Sequence, residues 1–185
     1  GSGMASGGGN VTVTGIGGGT GASATNEGVI LAVSGTIAAA GMGTINVSGT
    51  AGNGPSSAVV LTGPTNSAIT SSGGNITVEG MGNIDMEAPT SIASTDGSVD
   101  VTANSGRIFM ADASEISTAN GDVDLEADGD ITLGGVSGVN VAIDSDSGNI
   151  LDGGDTLTDV TATTLLLSAG DDVGQPPAMG PLDTA

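Results

Sequence analysis

The sequence predicts an all-β chain wound as a three-sided parallel β-helix, a solenoid of about six coils, and three observations carry that prediction. The first is a recurring unit of Gly, a polar residue, then two aliphatics separated by one residue. It reads Gly74-Asn75-Ile76-Thr77-Val78, Gly97-Ser98-Val99-Asp100-Val101 and Gly121-Asp122-Val123-Asp124-Leu125 in one set. A second set reads Gly82-Asn83-Ile84-Asp85-Met86, Gly106-Arg107-Ile108-Phe109-Met110 and Gly129-Asp130-Ile131-Thr132-Leu133. Alternation of this kind marks a strand with one buried face.

The second observation is spacing. From Ile76 the lead aliphatics fall at Ile84, Ile92, Val99, Ile108, Ile116, Val123, Ile131 and Val139, in steps of 8, 8, 7, 9, 8, 7, 8 and 8 residues. Three short strands therefore complete a turn of 23 or 24 residues. A unit of that length buries its apolar face only by stacking on a neighbour. The third observation is composition: 35 Gly, one Phe, and no Trp, Tyr, Cys, His or Lys. Helical repeats of similar length are disfavoured by the Gly, Thr, Ser and Asn content and by the lack of a 3.6-residue apolar period. Disorder, which Gly and Ser alone would suggest, is opposed by the phased aliphatics.

Taken in order, residues 1–8 read as an expression scar and linker, opening Gly1-Ser2-Gly3-Met4-Ala5-Ser6. The solenoid is expected over residues 9–171. Its first coil starts at Gly9-Asn10-Val11-Thr12-Val13, continues through Val29, Leu31 and Val33, and has Ile37 in its third strand. The second coil has Ile45 and Val47, then Val59 and Leu61, then Ile69. Long corners at residues 15–27 and 48–57 are predicted to stack as a paired protrusion, either a binding surface or an inert spacer. Coils three, four and five start at Gly74, Gly97 and Gly121. The fifth is expected to end in an insertion at residues 142–147, after which Ile150, Leu157 and Leu165 resume the steps. Residues 172–185, with Gln175-Pro176-Pro177, read as the start of a further coil or a truncated tail. The absence of a polar cap at either end suggests an internal segment of a longer protein, with end-to-end association or continuation of the same solenoid as its expected contacts.

The formal net charge of −20, with Arg107 the only basic residue, argues against nucleic acid as a partner and against anionic membrane surfaces. No apolar run approaches the ~20 residues needed to span a bilayer, and no cleavable signal peptide is visible. Without His, Cys or Lys the familiar nucleophilic mechanisms are closed. Carboxylates alone could serve a glycosidase, but the aromatic and basic residues that hold sugars are missing, so no enzyme activity is expected.

The acidic residues are uneven: Glu27, Glu79, Asp85 and Glu87 precede residue 93 and seventeen follow. Asp122, Asp124 and Glu126 are predicted to share an outer strand face, with Asp100 one rung from Asp124. Like charges at that spacing repel by roughly 1 kcal/mol even in water, which a bound calcium would relieve. A second calcium candidate is Asp144-Ser145-Asp146-Ser147-Gly148-Asn149, with Asp152 and Asp155 nearby. The candidate metal ligands are thus Asp100, Asp122, Asp124, Asp144, Asp146 and Asp152. The competing reading is a solvated acidic face that keeps the scaffold soluble. Arg107 is predicted to face outward beside Phe109, between Asn83 and Asp130, and to pair with Asp130. Three sequons, starting at Asn10, Asn46 and Asn75, arise from the strand-start pattern itself.

The Gly-Asn-Ile-x-Val strand starts, the Gly129-Asp130-Ile131-Thr132-Leu133 rung and the closing Leu165-Leu166-Leu167-Ser168-Ala169-Gly170-Asp171-Asp172-Val173-Gly174 resemble the filamentous-haemagglutinin type of repeat in giant bacterial surface adhesins. The resemblance runs from Gly9 to Asp183. It implies a right-handed parallel β-helix serving as stalk or shaft of a secreted, extracellular, cell-surface filamentous protein, with no catalytic residue to carry over. The family's secretion-domain features are not recognisable. The functional expectation is a rigid structural module; the alternative is a calcium-binding or receptor-binding adhesion module that engages a host or cell-surface receptor.

Overall fold

A computed structural model describes residues 3–19, 26–54, 56–87, 89–154, 157–174, 182, 184 and 185. Among them the chain forms eighteen strands and no helix. In chain order they are β1 Gly3–Ser6, β2 Val11–Ile16, β3 Val29–Ala32, β4 Thr36–Ala39, β5 Ile45–Thr50, β6 Ser57–Thr62, β7 Ser67–Ser71, β8 Ile76–Met81 and β9 Asn83–Met86. They continue as β10 Thr90–Ser94, β11 Val99–Ala103, β12 Ile108–Met110, β13 Glu115–Thr118, β14 Val123–Ala127, β15 Ile131–Leu133, β16 Gly135–Ser145, β17 Ile150–Asp152 and β18 Val160–Ala169.

Every ladder between these strands is parallel and joins strands one turn apart in sequence, as in a parallel β-solenoid. One column runs β2-β5-β8-β11-β14-β16, a second runs β3-β6-β9-β12-β15-β17, and a third runs β1-β4-β7-β10-β13-β16. The registers place identical chemistry on itself: Ile76, Val99 and Val123 in the first column, Ile84, Ile108 and Ile131 in the second, and Ile69, Ile92 and Ile116 in the third. All nine are essentially solvent-free. Each contributes roughly 1.5–3 kcal/mol of burial, which offsets the chain entropy of a fold almost without aromatics.

Corners explain where the Gly residues fall. Between β8 and β9 the chain turns on Gly82 alone, at φ 130°, a conformation closed to residues with a Cβ. A hydroxyl at the end of the third-column strand then ties successive corners together. The Ser94 Oγ donates to the Gly74 carbonyl at 3.1 Å and accepts from the Gly97 N–H at 3.0 Å. Ser71 bridges Gly43 and Gly74, and Thr118 bridges Gly97 and Gly121, in the same way. These buried hydroxyls satisfy backbone groups that the corner would otherwise strand.

Four sequence expectations are corrected. Val33 does not extend the strand with Val29 and Leu31: it has φ 51° and is 61% exposed, because β3 ends at Ala32 and the corner begins. Val139 is not the third-column residue of its turn. Val136 stacks on Ile116 and is 2% exposed, since the corner before it shrinks to Gly134. Residues 142–147 are not an insertion, because β16 continues unbroken from the third column into the first and places Val141 and Ile143 on Val123 and Leu125. Leu157 is accordingly 65% exposed while Val160 takes the buried position on Val136.

Within residues 1–8, Gly3–Ser6 form a strand paired with β4. At the other end, Val173 bridges Ile150 and Thr184 bridges Val160. Gln175-Pro176-Pro177 lie outside the described residues.

Candidate functional site

The acidic face is built by the first column. In β11 and β14, Val99, Val101, Val123 and Leu125 point inward, so the alternate positions Asp100, Asp124 and Glu126 face solvent. Register places Asp100 against Asp124, Thr102 against Glu126, and Glu126 against Asp144 of β16. Asp124 holds its proton more tightly than an ordinary carboxylate, first because burial removes water from it and then because Asp100 and Asp144 are like charges close by. Asp100 Oδ1 accepts from Thr102 Oγ1 at 3.2 Å.

Of the other predicted ligands, Asp122 stays on this face two residues before Asp124, and Asp146 and Asp152 lie elsewhere. Asp122 precedes β14 and its Oδ1 accepts from the Asn140 N–H at 3.2 Å and Asn140 Nδ2 at 2.7 Å. Asp146 lies past the end of β16 in the exposed turn, where its N–H donates to the Ala127 carbonyl. Asp152 sits at the inward position of β17, stacked on Leu133 and 3% exposed. Its Oδ1 accepts from the Gly154 N–H at 2.8 Å, and its Oδ2 has no hydrogen-bond partner. Asp155 lies outside the described residues. The structure thus brings Asp100, Asp124 and Asp144 together and separates Asp152 from them. Among the described residues, no group of three or more acidic side chains is placed to hold a metal ion.

Asp122 also belongs to a set of polar side chains that stand at strand starts. Asn75 Oδ1 accepts from the Ser98 N–H and Asn10 Oδ1 from the Thr44 N–H, both at 3.1 Å. In the second column, Asn83 Oδ1 accepts from the Arg107 N–H, Asp130 Oδ1 from the Asn149 N–H, and Asn149 Oδ1 from the Asp172 N–H. Each side chain therefore captures the amide of the equivalent residue on the next rung. The recurring Asn or Asp before an aliphatic pair was the available signal.

Arg107 does not pair with Asp130, whose Oδ1 is taken by Asn149. The guanidinium meets Asp85 Oδ1 at 3.2 Å and lies 5.3 Å from the Phe109 ring centre. Phe109 is in register with Asp85, so an Arg reaching along the ring arrives at that carboxylate. Ser57 Oγ donates to the same Asp85.

The two long corners do stack. The Asn26 N–H donates to Ser56 Oγ at 3.0 Å, Asn26 Nδ2 to the Asn53 carbonyl at 2.8 Å, and the Gly52 N–H to the Asn26 carbonyl at 2.8 Å. Residues 20–25 and 55 of these corners lie outside the described residues. The opposite arrangement occurs at Gly134, where the short corner leaves a notch of about 210 Å³ bordered by Asp112, Ser114, Glu115, Gly135 and Asp159. No protein-family model, no curated protein and no solved structure matches this chain.

Proposed function

We propose that this chain is a non-catalytic stalk or shaft module of a secreted or cell-surface filamentous adhesin, wound as a right-handed three-sided β-helix of about six coils. The observation that supports it most is the unbroken vertical register of Ile76, Val99 and Val123 with its counterparts in the other two columns. Stacked rungs with shared side-chain ladders give length and stiffness rather than a reaction site. The resemblance of the strand units to filamentous-haemagglutinin repeats points the same way.

Removing or duplicating residues 97–120 tests this reading, because deletion puts Gly121 in the place of Gly97 and duplication puts a copy of Gly97 in the place of Gly121. A shaft tolerates both and, in small-angle scattering, changes length by about 4.8 Å per coil. Collapse of both variants into non-cooperative chains would overturn it.

A second reading, calcium stiffening of the acidic face, draws on the contact of Asp100 with Asp124 and the influence of Asp144 on the latter. Millimolar calcium would then raise Tm by ligand linkage, and D100N or D124N would remove the rise. An unchanged Tm would dispose of it. Receptor binding through the paired corners is tested by deleting residues 17–26 and 51–56, which leaves adhesion unaltered if that reading is wrong.

A further inference from the structure

Two Asn-Gly dipeptides occur in the chain, Asn53-Gly54 and Asn120-Gly121. In such a pair the Gly backbone nitrogen can attack the Asn side-chain carbonyl carbon, since no Cβ on the Gly shields it. The Gly amide proton goes to solvent base, the N–Cγ bond forms, the Cγ–Nδ2 bond breaks and ammonia leaves. Water then opens the succinimide at either carbonyl, giving aspartate or isoaspartate. The reaction needs an amide without an acceptor and a side chain free to swing.

The fold treats the two pairs differently. Asn120 Nδ2 is held by Asp96 Oδ1 at 2.8 Å, and the buried Gly121 donates its N–H to Thr118 Oγ1 at 3.0 Å. Thr118 is itself anchored on the Gly97 carbonyl at 2.8 Å. The nucleophile of this pair is therefore locked in the corner clamp. Asn53 and Gly54 are both exposed. Asn53 Nδ2 has only a 3.4 Å contact to the Gly19 carbonyl, and among the described residues the Gly54 N–H has no acceptor.

We propose that Asn53 is a self-modification site, converted through a succinimide to isoaspartate and aspartate, while Asn120 is preserved by the fold. The product carries a new negative charge and, in the iso form, an extra main-chain methylene. Both arise where the Asn53 carbonyl receives Asn26 Nδ2 and ties the two long corners together. Modification therefore loosens the protrusion and leaves the stacked core untouched.

The folded chain is incubated at mildly alkaline pH and its isoaspartate is measured by enzymatic methylation and located by peptide mass mapping. Most of the signal is expected at Asn53, with Asn120 slower by about fivefold or more, the factor that one net hydrogen bond of about 1 kcal/mol supplies. N53Q removes the signal, N120Q leaves it, and unfolding in urea makes Asn120 reactive. Signal that survives N53Q, or Asn120 reacting first in the folded chain, overturns the proposal.

Discussion

Asp124 lies directly opposite Asp100 across the β11–β14 ladder, both carboxylates on the outer face of the same column. Burial, then Asp100 and Asp144, raise the folded-state pKa of Asp124. A raised folded-state value means that the folded chain binds the proton more tightly than the unfolded one. The resulting stability is complete below the ordinary carboxylate range and is lost as pH rises through the raised value. At neutral pH the charged Asp124 is therefore a liability, and Asp124→Asn is expected to stabilise the chain by roughly 0.5 kcal/mol after allowance for solvent screening. Thermal melts across acid to neutral pH test this: the advantage of the variant should vanish on acidification and shrink in high salt. A variant less stable than the parent at neutral pH would contradict it.

Ser94 is a different kind of residue, since its hydroxyl both donates and accepts between Gly74 and Gly97. Ser94→Ala leaves a buried carbonyl and a buried N–H unpaired, at a cost of about 2–3 kcal/mol. Ser94→Thr is expected to fold with near-parental stability, because Thr118 performs the same task one rung on. Urea denaturation of the two variants decides the matter; equal losses would show that packing, not the hydrogen bonds, is at stake.

Asp152 occupies a buried position in a column whose neighbours in register are Leu61, Met86, Met110 and Leu133. One of its oxygens is unpartnered. Asp152→Asn keeps the acceptor for the Gly154 N–H and removes the buried charge, and should stabilise the chain by about 1 kcal/mol or more. A fall in the urea midpoint would instead assign the carboxylate a charged partner in solution.

Arg107 is half exposed, with 52% of its side chain accessible, although it carries the chain's single positive side chain. Arg107→Ala is expected to cost less than about 1 kcal/mol, the range of exposed ion pairs and cation–π contacts. A double-mutant cycle with Asp85→Ala would measure the pair directly. A coupling well above that range would mean that the site is drier than its exposure indicates.

The middle of the chain could be read residue by residue. From β8 to β15 the lead aliphatics recur every 7 to 9 residues, so Ile76, Ile84 and Ile92 announce the three columns and the next turn repeats them. The spacing is ambiguous at β16, where Val136, Val139 and Val141 are all aliphatic and only stacking on Ile116 and Val123 selects among them. Counting assumes a step of 7 to 9 residues, and across Gly134 the step from Ile131 to Val136 is 5. Of the acidic site, the facing of Asp100 and Asp124 was legible from strand alternation alone. The inward turn of Asp152 follows from the same alternation, two residues after Ile150, but an Asp in the place of the second aliphatic disguises it.

The pattern of aliphatic and polar positions was by itself enough to make the chain all-β, parallel and stacked, with Ile, Val, Leu and Met inside, because a period of two per strand and one turn per 23 or 24 residues leaves no other way to bury them. Only the tertiary structure decided that Arg107 meets Asp85, that Asn and Asp side chains capture the amides of the next rung, and that Gly121 is clamped where the Gly54 N–H has no acceptor among the described residues. Those partners are about one turn apart in sequence or set by the closure of a corner. Local alternation carries no information about either, since it fixes which face a side chain takes but not what lies above it.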